Sequence, residues 1–495
     1  MTVRVGSEHV RATEPRVSTE SGPGLPSSDR SASFRYFRRL TLNAACLSVG
    51  DTLALGLALV LAGALRFWFM GEALMTPWWA LVVVSWLVGA SYVGLMPGWG
   101  IGVVEELRRT ILVWVKLFGL TAMGLFFFKV GADVSRLTVT LAFLFSAPLL
   151  LASRALVKTL LVKLNVWGLP TVIYGGGRTG ALVLDALEEE RGLGLNPIGF
   201  FDDDPQLRHS RIGGLSILGH CHQNTPAAPV AIMAMPGVSA PRLVELLESS
   251  LAVYRLVIII PDLFDAPSLW VKPRDFMGIL GLQISNNLLR PLSRFIKRAM
   301  DLFLTVTTLP VWLPLCAMLA VLVWLVDFGN PFFLQYRIGR NGRRFRMWKF
   351  RTMVKNAQEV LEKKLTQDPK LKSEWEESFK LRRDPRITWI GKFLRRTSID
   401  ELPQLFNVLR GEMSLVGPRP VPSYHNEELT EKVRKLRDHV RPGMTGLWQV
   451  SGRSELGNAG MLRWDPYYVR NWSIWLDVVI LIRTFRAVVF RRGAR

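Results

Sequence analysis

Between Asp301 and Asp327 the chain runs 25 residues, Leu302 to Val326, without a charge. A helix of that length can cross the ~30 Å hydrocarbon core of a bilayer, so this stretch constrains the fold more than any other. Two features argue against a crossing. Arg294, Lys297 and Arg298 precede it, and Arg337, Arg340, Arg343, Arg344 and Arg346 follow it. Cationic flanks stay cytoplasmic, which places both ends on one side. Pro310 and Pro314 each delete a backbone N–H and bend a helix. The hydroxyls of Thr305, Thr307 and Thr308 lie close enough to serve carbonyls orphaned in lipid. The expectation is a re-entrant helix over residues 299–326, broken at Pro310, that enters one leaflet and turns back. A straight span is what hydropathy alone selects, and it would carry everything downstream out of the cell.

Four further apolar runs, near 40–65, 77–96, 110–128 and 137–152, each approach spanning length. Ahead of them residues 1–34 form a basic tail rich in Ser, Pro, Gly and Arg, read as disordered. It carries no signal peptide pattern. Arg154, Lys158 and Lys163 follow the fourth run, so an even number of spans keeps both ends cytoplasmic. Asp51, inside the first run, is costly in lipid and could mark a pathway; the preferred reading is that it packs against a neighbouring helix or lies near the surface. The whole chain carries a net charge of +22, and residues from Pro291 onward hold 37 basic against 19 acidic side chains, or +18 of it. Such a field draws anionic lipid headgroups or phosphate substrates. The basic residues flank apolar runs and no aromatic-interleaved nucleic-acid motif occurs, so nucleic acid is not expected. Cys46, Cys221 and Cys316 are scattered and form neither a disulfide framework nor a zinc pattern; His220-Cys221-His222 could bind a metal, with a polar loop as the preferred reading.

Thr171–Tyr174 reads as a strand, followed by Gly175-Gly176-Gly177-Arg178-Thr179-Gly180 and a helix. Gly175, Gly177 and Gly180 have G-x-G-x-x-G spacing in strand–turn–helix context, where a backbone can approach a pyrophosphate. Further strands alternate with a helix to about Ile260, which makes a small doubly wound module. No Tyr-x-x-x-Lys pair occurs, which favours a non-catalytic module over a nicotinamide enzyme. The resulting organisation is membrane α plus α/β. A disordered basic tail (1–34) precedes a four-helix transmembrane region (35–153), an amphipathic linker (154–168) and a Rossmann-like module (169–265). A second linker (266–290) leads to a mixed, mainly helical domain (291–495) that contains the re-entrant helix.

That last domain is organised around Arg395 to Gly411. Asp400 and Glu401 follow an Arg pair and open an apolar-periodic helix that Gly411 can close. Ser398 and Glu401 have capping-box spacing, while Pro403 fits better if Asp400 is the N-cap. Either start places both carboxylates at the positive end of a helix dipole, where they tend to stay ionised. Such a pair can bind a divalent cation and attack phosphorus; an acidic cap with no chemistry is the plainer reading. Gly417-Pro418-Arg419-Pro420 and Arg441–Arg453 are rigid loops that present guanidinium groups. The segment Tyr467 to Phe490, with its Trp and Tyr, reads as an interfacial amphipathic helix.

The C-terminal domain resembles the bacterial sugar transferases, the monotopic polyprenyl-phosphate phosphoglycosyl transferases. The likeness rests on Lys297-Arg298 with Asp301, the proline-broken helix, Lys349-Phe350-Arg351-Thr352-Met353, Asp384-Pro385-Arg386, Asp400-Glu401-Leu402-Pro403-Gln404-Leu405, Gly417-Pro418-Arg419-Pro420 and the Arg441–Arg453 stretch. The four spans and the Rossmann-like module resemble the long-form members, as does the Asn286-Asn287-Leu288 and Ser293-Arg294-Phe295 approach. One departure is Leu309 where small members carry Ser before the proline. The resemblance implies transfer of a sugar 1-phosphate from a UDP-sugar, with galactose favoured over glucose, to undecaprenyl phosphate in polysaccharide synthesis. It implies Asp400 as nucleophile, Glu401 as Mg²⁺ ligand, and catalysis on the cytoplasmic face of the bacterial inner membrane by a homodimer. Arg395 and Arg419 are then candidates for phosphate clamping, with Lys297, Arg298 and Lys349 behind them. Each of these could instead make a lipid-headgroup contact or a salt bridge; Arg351 could equally pair with Asp384, and Arg441 and Arg453 could shape the nucleotide or sugar pocket or simply fix loops. A membrane-anchored NAD-dependent enzyme and a non-catalytic scaffold are the competing classes.

Overall fold

The structure is a computed structural model that describes residues 30–71, 79–127, 135–208, 210–261, 271–276, 279–284, 291–368, 371–373, 375, 381, 384–451 and 457–489. Residues 1–102 with 109–262 form one compact unit, and residues 103–108 with 263–495 form another.

The helices α1 (Arg30–Met70), α2 (Trp79–Tyr92), α3 (Val103–Phe127) and α4 (Arg136–Lys163) come first, all in the first unit except residues 103–108 of α3. Three of them are long and apolar enough to cross a membrane, and α2 is a shorter apolar helix. Leu55, Trp86, Phe143 and Leu150 are buried at their shared core. Two boundaries move. The helix is already formed at Arg30, so residues 30–34 are not tail, and residues 1–29 lie outside the described residues. The expected linker 154–168 is helical as far as Lys163, because Arg154 and Lys158 are buried rather than solvated. Asp51 is fully buried and accepts from Arg154 at 2.8 Å and from the Trp86 indole at 2.9 Å. A carboxylate at that depth is retained because it is paired, and its partner is a cation that the sequence suggested was a cytoplasmic flank.

The module that follows has β1 (Leu169–Tyr174), α5 (Arg178–Glu189), β2 (Leu195–Phe201), β3 (Arg211–Ile212), β4 (Leu215–Gly219), β5 (Val230–Met233), α6 (Ala240–Glu248) and β6 (Leu256–Ile259). The sheet order is β3-β4-β2-β1-β5-β6, parallel except for the β3–β4 pair. The glycine turn forms as expected. Gly177 is the N-cap of α5, and a Cβ at Gly180 would collide with the Gly175 carbonyl. The Gly176 N–H, however, donates to the Asp202 carboxylate at 2.5 Å, so one donor of that turn is already engaged by the chain itself. The second linker also contains structure: β7 (Val271–Phe276) and β8 (Ile279–Ile284) form an antiparallel hairpin. Asn286-Asn287-Leu288 lies outside the described residues.

The second unit holds α7 (Pro291–Thr307), α8 (Leu309–Asp327), β9 (Phe332–Ile338), β10 (Arg344–Phe350), α9 (Ala357–Gln367), α10 (Trp389–Thr397), α11 (Gln404–Arg410), β11 (Ser414–Val416), α12 (Glu431–Asp438), β12 (Gly443–Thr445), α13 (Gly457–Asn471) and α14 (Ile474–Val489). The 25-residue apolar run is broken at Thr308, with Pro310 in the first turn of α8, where a missing N–H is tolerated. The hydroxyls of Thr307 and Thr308 donate to the Phe303 and Leu304 carbonyls at 2.7 and 2.6 Å. The Thr305 carbonyl takes the Trp312 indole N–H at 2.9 Å, a donor the sequence did not suggest. One face of α8, made of Trp312, Cys316, Leu319 and Val323, is buried against Phe350, Ile390, Leu394 and Leu405. Asp327 at its end ion-pairs with Arg351. The opposite face leaves Val311, Met318, Val321 and Leu325 exposed.

The C-terminal segment differs from expectation. It is two helices, and Tyr468, Trp472, Leu476 and Ile480 are buried in the domain core rather than placed for a headgroup layer. Asp477 draws them inward: buried, it accepts from Lys297 (2.7 Å), Tyr468 (2.8 Å) and Trp472 (3.0 Å). The amphipathic surface helix is instead α10, with Trp389 and Phe393 exposed beside Lys392, Arg395 and Arg396, and Ile390 and Leu394 turned inward.

Candidate active site

The site is built at the junction of α10 and α11. Thr388 caps α10 by accepting from the Gly391 N–H at 3.0 Å. Gly391 permits the next step: a Cβ there would run into the Thr352 backbone, so only glycine lets α10 lie this close to the end of β10. The last turn of α10 then brings the Arg395 Nε to the Thr352 hydroxyl at 2.9 Å.

Between the two helices the chain makes a left-handed residue at Ser398, with φ 58°, and then a 3₁₀ turn over Ile399–Glu401. Asp400 and Glu401 are therefore not the cap of an α-helix. Ser398 makes no side-chain cap, and Pro403 holds the N-cap position of α11 without a side-chain bond. The helix-dipole reason for ionised carboxylates falls, because the acids occupy a separate turn before α11. Gly411 does close α11, at φ 80°.

The charge balance around the pair comes from elsewhere. Lys349 Nζ meets Glu401 Oε1 at 2.7 Å, and Arg419 Nη2 stands 3.8 Å from the same oxygen. Burial pushes the half-buried Asp400 carboxyl up from the ordinary carboxylate value. Lys349 opposes that, Glu401 adds to it by repulsion, and Arg395 opposes it again.

Arg337 also belongs to this group. Burial and the repulsion of Arg419 push its guanidinium down, while Glu401 pulls it the other way. Its Nη2 donates to Gln335 at 2.7 Å, and its buried Nε has no hydrogen-bond partner among the described residues. In the β9–β10 pairing Arg337 stands opposite Phe345 and Phe333 opposite Lys349. Arg337 and Lys349 therefore share one face of the ribbon. β9 was not read as a strand from the sequence, so the alternation that puts Arg337 on the Lys349 face could not be seen there.

Other predicted residues have different work. Lys297 is buried against Asp477 and donates to the Val416 carbonyl at 3.0 Å, so it is not a phosphate clamp. Arg298 donates to the carbonyls of Val408 and Leu409 at 2.6 and 3.0 Å, closing the end of α11. Arg441 donates to the Gly411 carbonyl at 2.7 Å. Arg351 pairs with Asp327, while Asp384 pairs with Arg386 at 2.7 Å. Arg453 lies outside the described residues. One positioning residue was missed: buried Arg437 ion-pairs with Asp465 and donates to the Arg419 carbonyl, which holds the loop that aims Arg419 at Glu401. Burial pushes the Asp465 carboxyl up to about 6 against the pull of Arg437. Arg437 carried no signal beyond its place on an amphipathic charged helix.

Known proteins bear on this arrangement. The model of the Bacterial sugar transferase family matches residues 292–491, and that of a CoA-binding domain matches residues 100–228. The chain is 37% identical to the UDP-galactose-lipid carrier transferase of Erwinia amylovora, over 79% of this chain and 82% of that one. It is equally 37% identical to the undecaprenyl-phosphate galactose phosphotransferase of Salmonella typhimurium, with the same shares covered. It is 30% identical to the UDP-glucose:undecaprenyl-phosphate glucose-1-phosphate transferase of Escherichia coli, over 63% of this chain and 66% of that one. With its carboxylate pair, its cationic surround and two relatives matched over four-fifths of their length, this chain belongs to the bacterial sugar transferase family and is a membrane enzyme.

Proposed function

We propose that this enzyme transfers galactose 1-phosphate from UDP-galactose to undecaprenyl phosphate, the first step of a polysaccharide repeat unit. The observation that carries the mechanism is Asp400, half-buried on its own turn in the field of Lys349 and Arg395, beside a Glu401 that Lys349, Arg419 and Arg337 face. The names of the Erwinia and Salmonella relatives support galactose; that of the Escherichia coli relative motivates UDP-glucose as the second reading.

An Asp400 oxygen attacks the phosphorus that bears the sugar, and the bond from that phosphorus to the bridging oxygen breaks. UMP leaves with the electron pair. An oxygen of the lipid phosphate then attacks the same phosphorus, forming the sugar–diphospholipid and returning Asp400 as a carboxylate. Anionic groups approach one another in both steps, so the surrounding cations supply most of the acceleration by positioned electrostatics. Adjacent carboxylate oxygens suit Mg²⁺, which binds through one or two carboxylates and completes its shell with phosphates and water. Glu401 would hold it, with Asp400 alongside, and it would neutralise the diphosphate. Purified enzyme given a panel of UDP-sugars is expected to release UMP fastest from UDP-galactose and, without acceptor, to carry the sugar phosphate on Asp400. Release without any adduct under full turnover argues for single-step transfer.

The burial of Asp400 has a pH consequence. A nucleophile must be ionised, so turnover is lost as pH falls through its folded-state pKa, which lies above the ordinary carboxylate value. Lys349→Met removes the largest opposing influence and should move the acid limb of kcat/KM to higher pH. An unmoved limb would show that Asp400 is not the titrating group.

We also infer that α7 and α8 enter and leave the cytoplasmic leaflet of the bacterial inner membrane without crossing. The support is the buried face of α8, which lies on α10, α11 and β10, and the Asp327–Arg351 pair at its end. Asn330→Cys, made after replacing Cys46, Cys221 and Cys316, should resist an impermeant thiol reagent applied outside spheroplasts. Labelling from outside would mean a fifth span.

A further inference from the structure

A second cluster of guanidinium groups stands at the opposite end of α11 from Asp400, a separation set by a helix about 10 Å long. Arg298 and Arg441 converge there on the carbonyls of Val408, Leu409 and Gly411. Two full cations meet a helix end worth about half a negative charge, which leaves an excess.

Arg340 adds to it from the 3₁₀ turn Arg340–Gly342. The preceding Gly339 lines the same small cavity as Pro442, the residue after Arg441. The Arg340 Nε is buried and has no hydrogen-bond partner among the described residues. Burial and the repulsion of Arg441 and Arg294 all push its guanidinium down.

Asp301 is the acid whose field reaches Arg441. Its two oxygens already accept from the Ser414 hydroxyl at 2.8 Å and the Leu415 N–H at 3.2 Å. Asp438 also lines the Gly339–Pro442 cavity, so two carboxylates stand against the guanidinium groups of Arg294, Arg298, Arg340 and Arg441, and the excess of positive charge can still take an anion. Its level is set by α7, whose first turns expose Leu292 (68%), Phe295 (70%) and Ile296 (40%) on the side away from Arg294 and Arg298. An apolar face bordered by arginines is how a helix meets the headgroup layer.

We propose that Arg294, Arg340 and Arg441, backed by Arg298, form a phosphate-binding site separate from the catalytic centre, filled at the membrane surface by the headgroup of an anionic phospholipid. A phosphate seated there fixes α7 at one depth. Through Arg298 and Arg441 it also steadies α11, the helix that Asp400 precedes. The site does not depend on which sugar is transferred or on the covalent step.

The test uses the full chain in nanodiscs of phosphatidylcholine with or without about 30% phosphatidylglycerol. In detergent, inorganic phosphate provides the soluble arm. Phosphatidylglycerol is expected to raise Tm by about 3 °C, and Arg340→Gln to remove most of that gain. Protection by inorganic phosphate that is likewise lost in Arg340→Gln would assign the same site to a soluble source. If Arg340→Gln does not fold, Arg294→Gln, a change at an exposed position, replaces it with the same expected loss. A full phosphatidylglycerol gain in the variant overturns the proposal. So does a variant whose only change is a higher KM for the UDP-sugar, since the cluster would then belong to the nucleotide subsite.

Discussion

Asp400→Asn is expected to abolish turnover, lowering UMP release by on the order of 10⁴-fold or more, because it removes the proposed nucleophile while the neighbouring carboxylate, Glu401, is held by Lys349. The change is nearly isosteric. The Lys349–Glu401 pair at 2.7 Å involves the adjacent residue, so the fold and the cationic surround should survive. Binding of UDP-galactose should therefore persist while the sugar-phosphoryl adduct disappears. The readouts are UMP release, intact-protein mass after incubation with donor alone, and calorimetric donor affinity. Activity that survives in the variant would sink the covalent mechanism. It would also revive a nicotinamide reading of the Gly175–Gly180 turn, which predicts NAD binding and indifference to Asp400.

Lys297→Met should produce the largest loss of stability, about 3–5 kcal/mol. Its ammonium lies 2.7 Å from Asp477, with the two side chains 9% and 0% exposed. Removing the cation strands a carboxylate whose remaining donors are the Tyr468 hydroxyl and the Trp472 indole. Burial already pushes that carboxyl up against the pull of Lys297, so the variant should hold a proton there to higher pH than the parent. Denaturant or thermal unfolding in detergent measures the loss. The double change Lys297→Met with Asp477→Leu should restore much of it, since an apolar pair can replace a buried ion pair. Unchanged stability in the single variant, with a raised KM for the UDP-sugar, would return Lys297 to the phosphate-clamping role suggested by its place in the motif.

These two residues mark how far the sequence reaches. Asp400 and Glu401 were legible because their signal is local: two acids between an Arg pair and an apolar-periodic stretch, followed by a glycine that stops the helix. The long apolar runs, the β-α alternation of the module and the break near Pro310 are local in the same sense, since hydropathy, period and a missing N–H act within a few residues. Even there the local capping pattern misled. Ser398 and Glu401 have capping-box spacing, yet the chain spends Ser398 on a left-handed turn so that α10 can end and α11 can begin in a new direction.

The sequence by itself determined that this chain has apolar helices at its start, a glycine-turn module, and an acid pair in a basic domain. Only the tertiary structure decided which of many cations serve that pair. Lys297 and Asp477 are 180 residues apart, Asp51 and Arg154 are 103 apart, and Lys349 and Glu401 are 52 apart. An arginine or lysine looks the same in sequence whether it caps α11, neutralises a buried aspartate or faces a phosphate. The physical reason is that charge acts through space at a few ångströms, whereas hydrophobic periodicity acts along the chain. The first needs the fold before it can be read, and the second is read to predict it.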